Sequence, residues 1–169
     1  MSFDAHGYVL SAEAGDALWF LDTRMTVKAG GAQTGGAFTL LEWAAPTGFG
    51  PPRHVHHLED EGFYVLEGQM QIVCGDRRWT AGPGAFAFLP HGIPHAFVIS
   101  EGPVRGLQIT SPSGFEHFIN DQGRTASNAG LPEPTQPDVG QLIAAGQRHG
   151  HDNVGPPLTI DRSIAESAT

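Results

Sequence analysis

PPRHVHHLEDEGFYVLEG, residues 51–68, and GAFAFLPHGIPHAF, residues 84–97, decide how this chain is read. With the flanking glycine they spell Gly48-x5-His54-x-His56-x4-Glu61-x6-Gly68 and Gly84-x5-Pro90-x-Gly92-x2-His95. His54 and His56 are two residues apart, so on a strand they share a face, while His57 points the other way. Glu61 follows Leu58-Glu59-Asp60, enough chain for a hairpin turn, and opens the next strand toward the same interior. His95 stands just past the turn Pro90-His91-Gly92-Ile93-Pro94, at a strand start. Three strand edges thus aim three imidazoles and one carboxylate at one point. That donor set can hold a divalent metal and leave coordination positions open, the pattern of a catalytic site more than a structural one.

Counting inward by twos gives Phe63 and Val65 after Glu61, and Phe97 and Ile99 after His95. These four residues are expected to line an apolar substrate pocket beside the metal, suited to an organic molecule with a polar chelating end.

Working outward, short strands are expected near 53–57, 62–67, 69–75, 77–80, 85–89, 94–99 and 103–110. Gly68, Gly75-Asp76, Gly82-Pro83-Gly84, Pro90-His91-Gly92 and Glu101-Gly102-Pro103 mark the turns between them. Upstream, residues 7–10, 18–21, 23–28 and 37–45 read as strands, and AGGAQTGG at 29–36 reads as a loop. Many short strands at close spacing point to an all-β barrel or sandwich. Downstream, Ser113 is the expected cap of a short helix at 114–121, residues 123–137 read as a linker, and Asp138 caps a second helix at 139–148. The tail after Pro157 is expected to fray.

The chain has 169 residues, 40% of them hydrophobic, so one domain with a real core is expected. A formal net charge of -9 argues against nucleic-acid partners and anionic membrane surfaces. With a single cysteine, Cys74, no intrachain disulfide can form. The start MSFDAHGYVLSAEAGD lacks the basic region and apolar run of a signal peptide, and no stretch approaches the roughly 18 apolar residues of a membrane helix. A cytoplasmic location is therefore expected.

The two quoted segments resemble the two motifs of the cupin superfamily, strongly over about 48–99 and more weakly over 18–111. One departure is visible: the second motif often carries Asn four residues after its His, where this chain has Ile99. The resemblance implies one jelly-roll-like cupin β-barrel with short C-terminal helices. Residues 1–36 would cover the barrel, 37–111 would form it, and 112–169 would add helices and a tail. It also implies His54, His56, Glu61 and His95 as ligands of one divalent transition metal (Fe, Mn, Ni, Co, Cu or Zn). Single-domain quercetin 2,3-dioxygenase-like cupins look similar, through AGGAQTGG, SPSGFEHFINDQG and HDNVGPPL. From these comes the expectation of a dioxygenase acting with O2 on a flavonol or other enolisable aromatic substrate. Glu61 would be both ligand and catalytic base. An isomerase or polyketide-type cyclase, and a non-catalytic small-molecule binder, are the alternative classes. A homodimer is expected, since single-domain cupins commonly pair sheet to sheet.

Bland roles are assigned to the remaining polar residues. His57 is expected on the outer face, His91 in a turn, and His117, His149 and His151 toward solvent. Glu59 and Asp60 read as solvated turn charges. Cys74 and Phe63, Phe86, Phe88 and Phe97 read as core, and Gly68, Gly82, Gly84 and Gly92 as turn glycines.

Overall fold

A computed structural model describes residues 6–12 and 14–163. In chain order the elements are β1 (Asp16–Phe20), β2 (Thr23–Ala29), α1 (Gly31–Thr34), β3 (Thr39–Ala45), β4 (Pro52–His56) and β5 (Asp60–Cys74). They continue with β6 (Arg77–Ala81), β7 (Phe86–Leu89), β8 (His95–Ser111), α2 (Phe115–Gln122), β9 (Arg124–Thr125), α3 (Val139–Arg148) and β10 (His151–Pro157). The strands form one antiparallel sheet running β10-β4-β8-β3-β2-β1-β9, with β5 joining β8 and carrying β6 and β7. The all-β barrel with short helices is as expected.

Two long strands organise the barrel. The sequence splits residues 62–75 and 94–110 at Gly68 and at Glu101-Gly102-Pro103, but the chain runs through both places as β5 and β8. Register shifts fall between Val65 and Met70. Their effect is a change of parity: Glu61, Phe63 and Val65 are buried before the shift, and Met70, Ile72 and Cys74 after it. A bulge inserts a residue and re-aims the strand, so both halves can face one interior. Gly68 makes this possible. Its φ is +75°, and a Cβ there would lie 2.7 Å from the Pro103 carbonyl oxygen and 2.8 Å from that of Glu101. The turn residues of the sequence are therefore matched kinks in two paired strands.

Inside, Trp43, Phe63 and Phe97 pack ring against ring at centroid distances of 5.5, 5.6 and 5.2 Å. Leu41, Val65, Met70, Ile72, Ile99 and Val104 complete the core. Cys74 is buried, as expected. Gly48–Gly50 runs beside β8, with Gly48 N–H donating to the Ile99 carbonyl at 2.9 Å and Ile99 N–H donating to the Phe49 carbonyl at 2.8 Å.

Several expectations are corrected. Residues 7–10 form no strand, and the 29–36 loop contains α1. Ser113 does not cap α2. Its N-cap is Gly114, and Glu116 reaches back to accept from the Gly114 N–H at 2.9 Å while also taking the Gly31 N–H and the Thr39 hydroxyl. Asp138 does cap α3, accepting from the Gln141 N–H at 3.0 Å. The 123–137 linker includes β9, paired with β1. Residues 151–157, assigned no element from sequence, are a strand on the sheet edge. The chain beyond is also fastened, since Asp161 exchanges two backbone hydrogen bonds with the Gln71 side chain; residues 164–169 lie outside the described residues. Phe86 and Phe88 are not core but 61% and 57% exposed, because β7 turns them to the outer face. Gly82 has neither a positive φ nor a close neighbour, so it is not required as glycine. Among the described residues, no helix is long and apolar enough to cross a membrane.

The contact between residues 48–50 and β8 leaves no room for a side chain. A Cβ on Gly50 would meet the Phe97 carbonyl oxygen at 2.3 Å. Gly50→Ala is therefore expected to lower unfolding free energy by about 1–3 kcal/mol, as overpacking does. A urea denaturation midpoint equal to that of the parent chain would contradict this packing.

Candidate metal centre

β4, β5 and β8 bring the four sequence-selected side chains together. His54 and His95 are register partners across β4 and β8. Glu61 starts the inward face of β5 and pairs with Thr110 of β8. One ligand atom from each of His54, His56, Glu61 and His95 lies within 4.8 Å of all the others. The ring centroids are 4.5 Å apart for His54–His95, 5.2 Å for His54–His56 and 5.3 Å for His56–His95.

Each imidazole has its Nδ1 engaged. His54 Nδ1 lies 2.8 Å from the Pro52 carbonyl, His95 Nδ1 lies 2.9 Å from the Ile93 carbonyl, and His56 Nδ1 lies 3.2 Å from Glu59 Oε2. An Nδ1–H donor leaves the lone pair on Nε2, the arrangement of a metal-binding histidine. Glu61 Oε1 accepts from Gln108 Nε2 at 2.6 Å. Its other oxygen, Oε2, is 3.3 Å from His95 Nε2. Both atoms are buried and, among the described residues, have no hydrogen-bond partner. Orphaned polar atoms of this kind are costly in a protein interior, and a cation between them would satisfy both. The residues therefore fit a divalent transition metal.

The electrostatics agree. Burial alone would raise the Glu61 carboxyl, but the adjacent His95 and the other surrounding imidazoles hold it down at about 2. Burial, aided by the neighbouring His95, lowers His54 to about 4, so it is neutral and able to ligate at ordinary pH. His95 is also pressed down by burial, yet the Glu61 carboxylate outweighs this and keeps its proton on above the usual histidine range.

A cavity of about 370 Å³ opens beside the cluster. His54 and Glu61 reach it from the metal side; Trp43, Phe49, Phe63 and Phe97 wall it from the barrel, and Phe115, Phe118, Leu142 and Ile143 wall it from α2 and α3. Of the four expected pocket residues, Phe63 and Phe97 line this space. Val65 and Ile99 are 1% and 0% exposed and belong to the core, because the Trp43–Phe63–Phe97 layer already fills the barrel at that depth.

Two residues of the site were read differently from sequence. Glu59 is 5% exposed, not a solvated turn charge, and His151 is 7% exposed, not solvent-facing. His151 Nε2 lies 2.7 Å from the same Glu59 Oε2 that meets His56. Burial opposes the ionised Glu59, but the hydrogen bonds from His151 and His56 more than offset it and lower its pKa. Gly114 admits this carboxylate, for a Cβ there would stand 2.8 Å from Glu59 Oε1. His56, Glu59 and His151 also form a second group with metal-binding spacing, sharing His56 with the first. The sequence signal for it was the His149–His151 pair in QRHGHDN, but the partner strand β4 lies far back in the chain and nothing local points to it. The other polar residues follow expectation more closely. His57 is exposed and pairs with Asp152 at 2.9 Å, and His117 is exposed. His91 sits in its turn and meets Asp60 at 2.6 Å, while His149 is partly covered and meets Asp121 at 2.8 Å.

Residues 41–110 match the Cupin_2 family, described as a cupin domain. With the barrel around it, this match gives residues 41–110 the sequence pattern and the fold of a cupin domain. Over 132 residues it is 26% identical to a quercetin 2,3-dioxygenase from Bacillus subtilis, a match covering 78% of this chain. The chain spans 39% of that relative's length. Among solved structures it is similar to an RmlC-like cupin from Shewanella frigidimarina (TM-score 0.56, 14% identity, covering 66% of this chain and 96% of that one). It is also similar to a protein from Thermotoga maritima described as a predicted oxalate decarboxylase (TM-score 0.54, 18% identity, covering 63% and 99%). A third is Streptomyces PAC13 solved with uridine (TM-score 0.53, 16% identity, covering 72% and 91%). These solved structures share the fold.

His54→Ala, His56→Ala and His95→Ala are each expected to cut metal content from about one ion per chain to a small fraction, while the barrel's far-ultraviolet circular dichroism persists. Elemental analysis after gel filtration checks this. Because metal and proton compete for His95, Co(II) affinity is expected to rise with pH until His95 has lost its proton, then level off. A calorimetric titration series showing no pH dependence from about 6 to 8 would contradict this.

Proposed function

We propose that the protein is a metal-dependent dioxygenase acting on a flavonol or another hydroxylated, enolisable aromatic compound. One observation carries the reading: His54 and Glu61 open the candidate metal centre onto a cavity with mainly aromatic and aliphatic walls and, among the described residues, no lysine or arginine in its lining. A site for a phosphorylated sugar or a small dicarboxylate needs cationic groups to offset the substrate's charge. A neutral aromatic molecule needs none. The similarity to a quercetin 2,3-dioxygenase supports the same substrate class.

The four-ligand set would hold Fe, Mn, Ni, Co, Cu or Zn in its divalent state. Such an ion, when bound, supplies Lewis-acid polarisation of a substrate oxygen and, where it is redox-capable, a route for reaction with O2. The chain's own residues do the rest. Glu61 Oε2, buried and without a hydrogen-bond partner among the described residues, faces the metal position and would also accept the proton of a substrate hydroxyl. Gln108 holds the other oxygen and so fixes the direction of the first. Trp43, Phe63 and Phe97 exclude water from the reacting face.

Oxygen uptake by metal-loaded protein with quercetin, followed together with loss of quercetin absorbance, tests the proposal. Glu61→Gln is expected to lower kcat by about 10²–10⁴-fold, the usual contribution of a positioned base, with a smaller loss of metal. No oxygen uptake with any of these six metals would overturn the dioxygenase reading. Turnover that persists under strict anaerobiosis would move the assignment to an isomerase or cyclase.

We further propose that the chain works as a homodimer through the outer face of β7, β5 and β8. Phe86, Phe88, Tyr64 and Ile109 are exposed there. They form one patch, since Tyr64 pairs with Phe86, Gly62 pairs with Phe88 and Ile109, and a Cβ on Gly62 would touch both Phe86 and Ile109 at 3.0 Å. Contiguous apolar surface of this kind marks an interaction site. Sedimentation velocity is expected to show a dimer for the parent chain and a monomer for Phe86→Glu/Phe88→Glu; a monomeric parent would overturn the proposal.

A further inference from the structure

β10 sets His151 directly across from His56, with ring centroids 4.1 Å apart. Glu59 Oε2 meets both rings, at His151 Nε2 (2.7 Å) and His56 Nδ1 (3.2 Å). An ionised carboxylate only accepts, so each imidazole must present an N–H to that single oxygen. For His56 the result is a bare Nε2 directed to the metal centre. For His151 the consequence is reversed: the proton sits on Nε2 and the lone pair on Nδ1. Among the described residues, Nδ1 of His151 meets no donor. The ring is held in place by Phe115, 5.7 Å away, and by the edge of Phe118 at 5.3 Å and 89°. It belongs to the wall of the same cavity that His54 and Glu61 reach.

We propose that His151 is a specificity-determining residue of the substrate site, its Nδ1 accepting a hydrogen bond from a hydroxyl of the aromatic substrate, with Glu59 fixing the tautomer that makes it an acceptor. This rests on the reading of the cavity as the site for a hydroxylated aromatic molecule. The chemistry is selective. An acceptor flanked by Phe115 and Phe118 is satisfied by a hydroxylated ring and left unpaired by the same ring without the hydroxyl. One carboxylate thereby serves two purposes, orienting a metal ligand and polarising the opposite wall toward substrate hydroxyls.

Two substitutions separate this role from a structural one. His151→Gln can still donate to Glu59 but loses the acceptor at the Nδ1 position. His151→Asn can place its carboxamide oxygen near that position but cannot reach Glu59. The measurement is fluorescence-monitored binding of quercetin and of unhydroxylated flavone to Co(II)-loaded protein without oxygen. Cobalt content and the cobalt absorption spectrum are recorded for each variant. The parent chain is expected to prefer quercetin. His151→Gln is expected to lose about tenfold in quercetin affinity, the scale of one hydrogen bond, with flavone affinity and the cobalt spectrum unchanged. His151→Asn is expected to retain most of the preference. Parent-like quercetin binding by His151→Gln would overturn the proposal, as would equal losses for both compounds or no preference in the parent. Because the assay excludes oxygen, its failure is distinct from that of the dioxygenase reading. A chain that binds quercetin through His151 yet consumes no oxygen would overturn that reading alone.

Discussion

Burying a cluster of ionisable groups inside an apolar barrel is the constraint on which the structure depends. Three imidazoles and the carboxylates of Glu59 and Glu61 sit at 6% or less side-chain exposure or in a part-buried wall, among phenylalanines, a tryptophan and aliphatic side chains. Such groups are tolerated only when paired. Much of the cluster is: two Nδ1 atoms pair with backbone carbonyls, one with Glu59, and one Glu61 oxygen with Gln108. Among the atoms left for a metal, the buried pair Glu61 Oε2 and His95 Nε2 marks where the chemistry is proposed to occur.

That constraint accounts for features that look unrelated in the fold. Gly114 is needed where Glu59 passes, α2 brings Phe115 and Phe118 against His151, and α3 packs so close to His151 that a Cβ on Gly146 would stand 3.2 Å from its carbonyl oxygen. The segment after the barrel is thus a wall of the site, tied to a ligand through Glu59. The kinks at Gly68 and Pro103 serve the same end differently. They let β5 and β8 present Glu61 and His95 at one end and a tightly packed core at the other.

The central site was legible because its rule is local. Alternation on a strand sends His54 and His56 to one face, and the turn before Glu61 returns a carboxylate to them. The outer roles of Phe86 and Phe88 were not legible, since alternation says that Phe86 and Phe88 share a face but not which face is inside. Val65 and Ile99 obey the same alternation as Phe63 and Phe97, yet how far down the barrel open space extends is set by the Trp43 ring from another strand.

By itself, then, the amino-acid sequence determined the all-β class, the convergence of His54, His56, Glu61 and His95, and the capping of α3 by Asp138. Each follows from period, spacing or a side chain acting within a few residues. The tertiary structure alone decided that Glu59 and His151 are buried partners. Their contact spans 92 residues and requires a strand from QRHGHDNVGPP, whose glycines and prolines read locally as loop. Pairing along β4 supplies the hydrogen bonds and the apolar cover that make it one, and no local pattern records a partner that the fold provides.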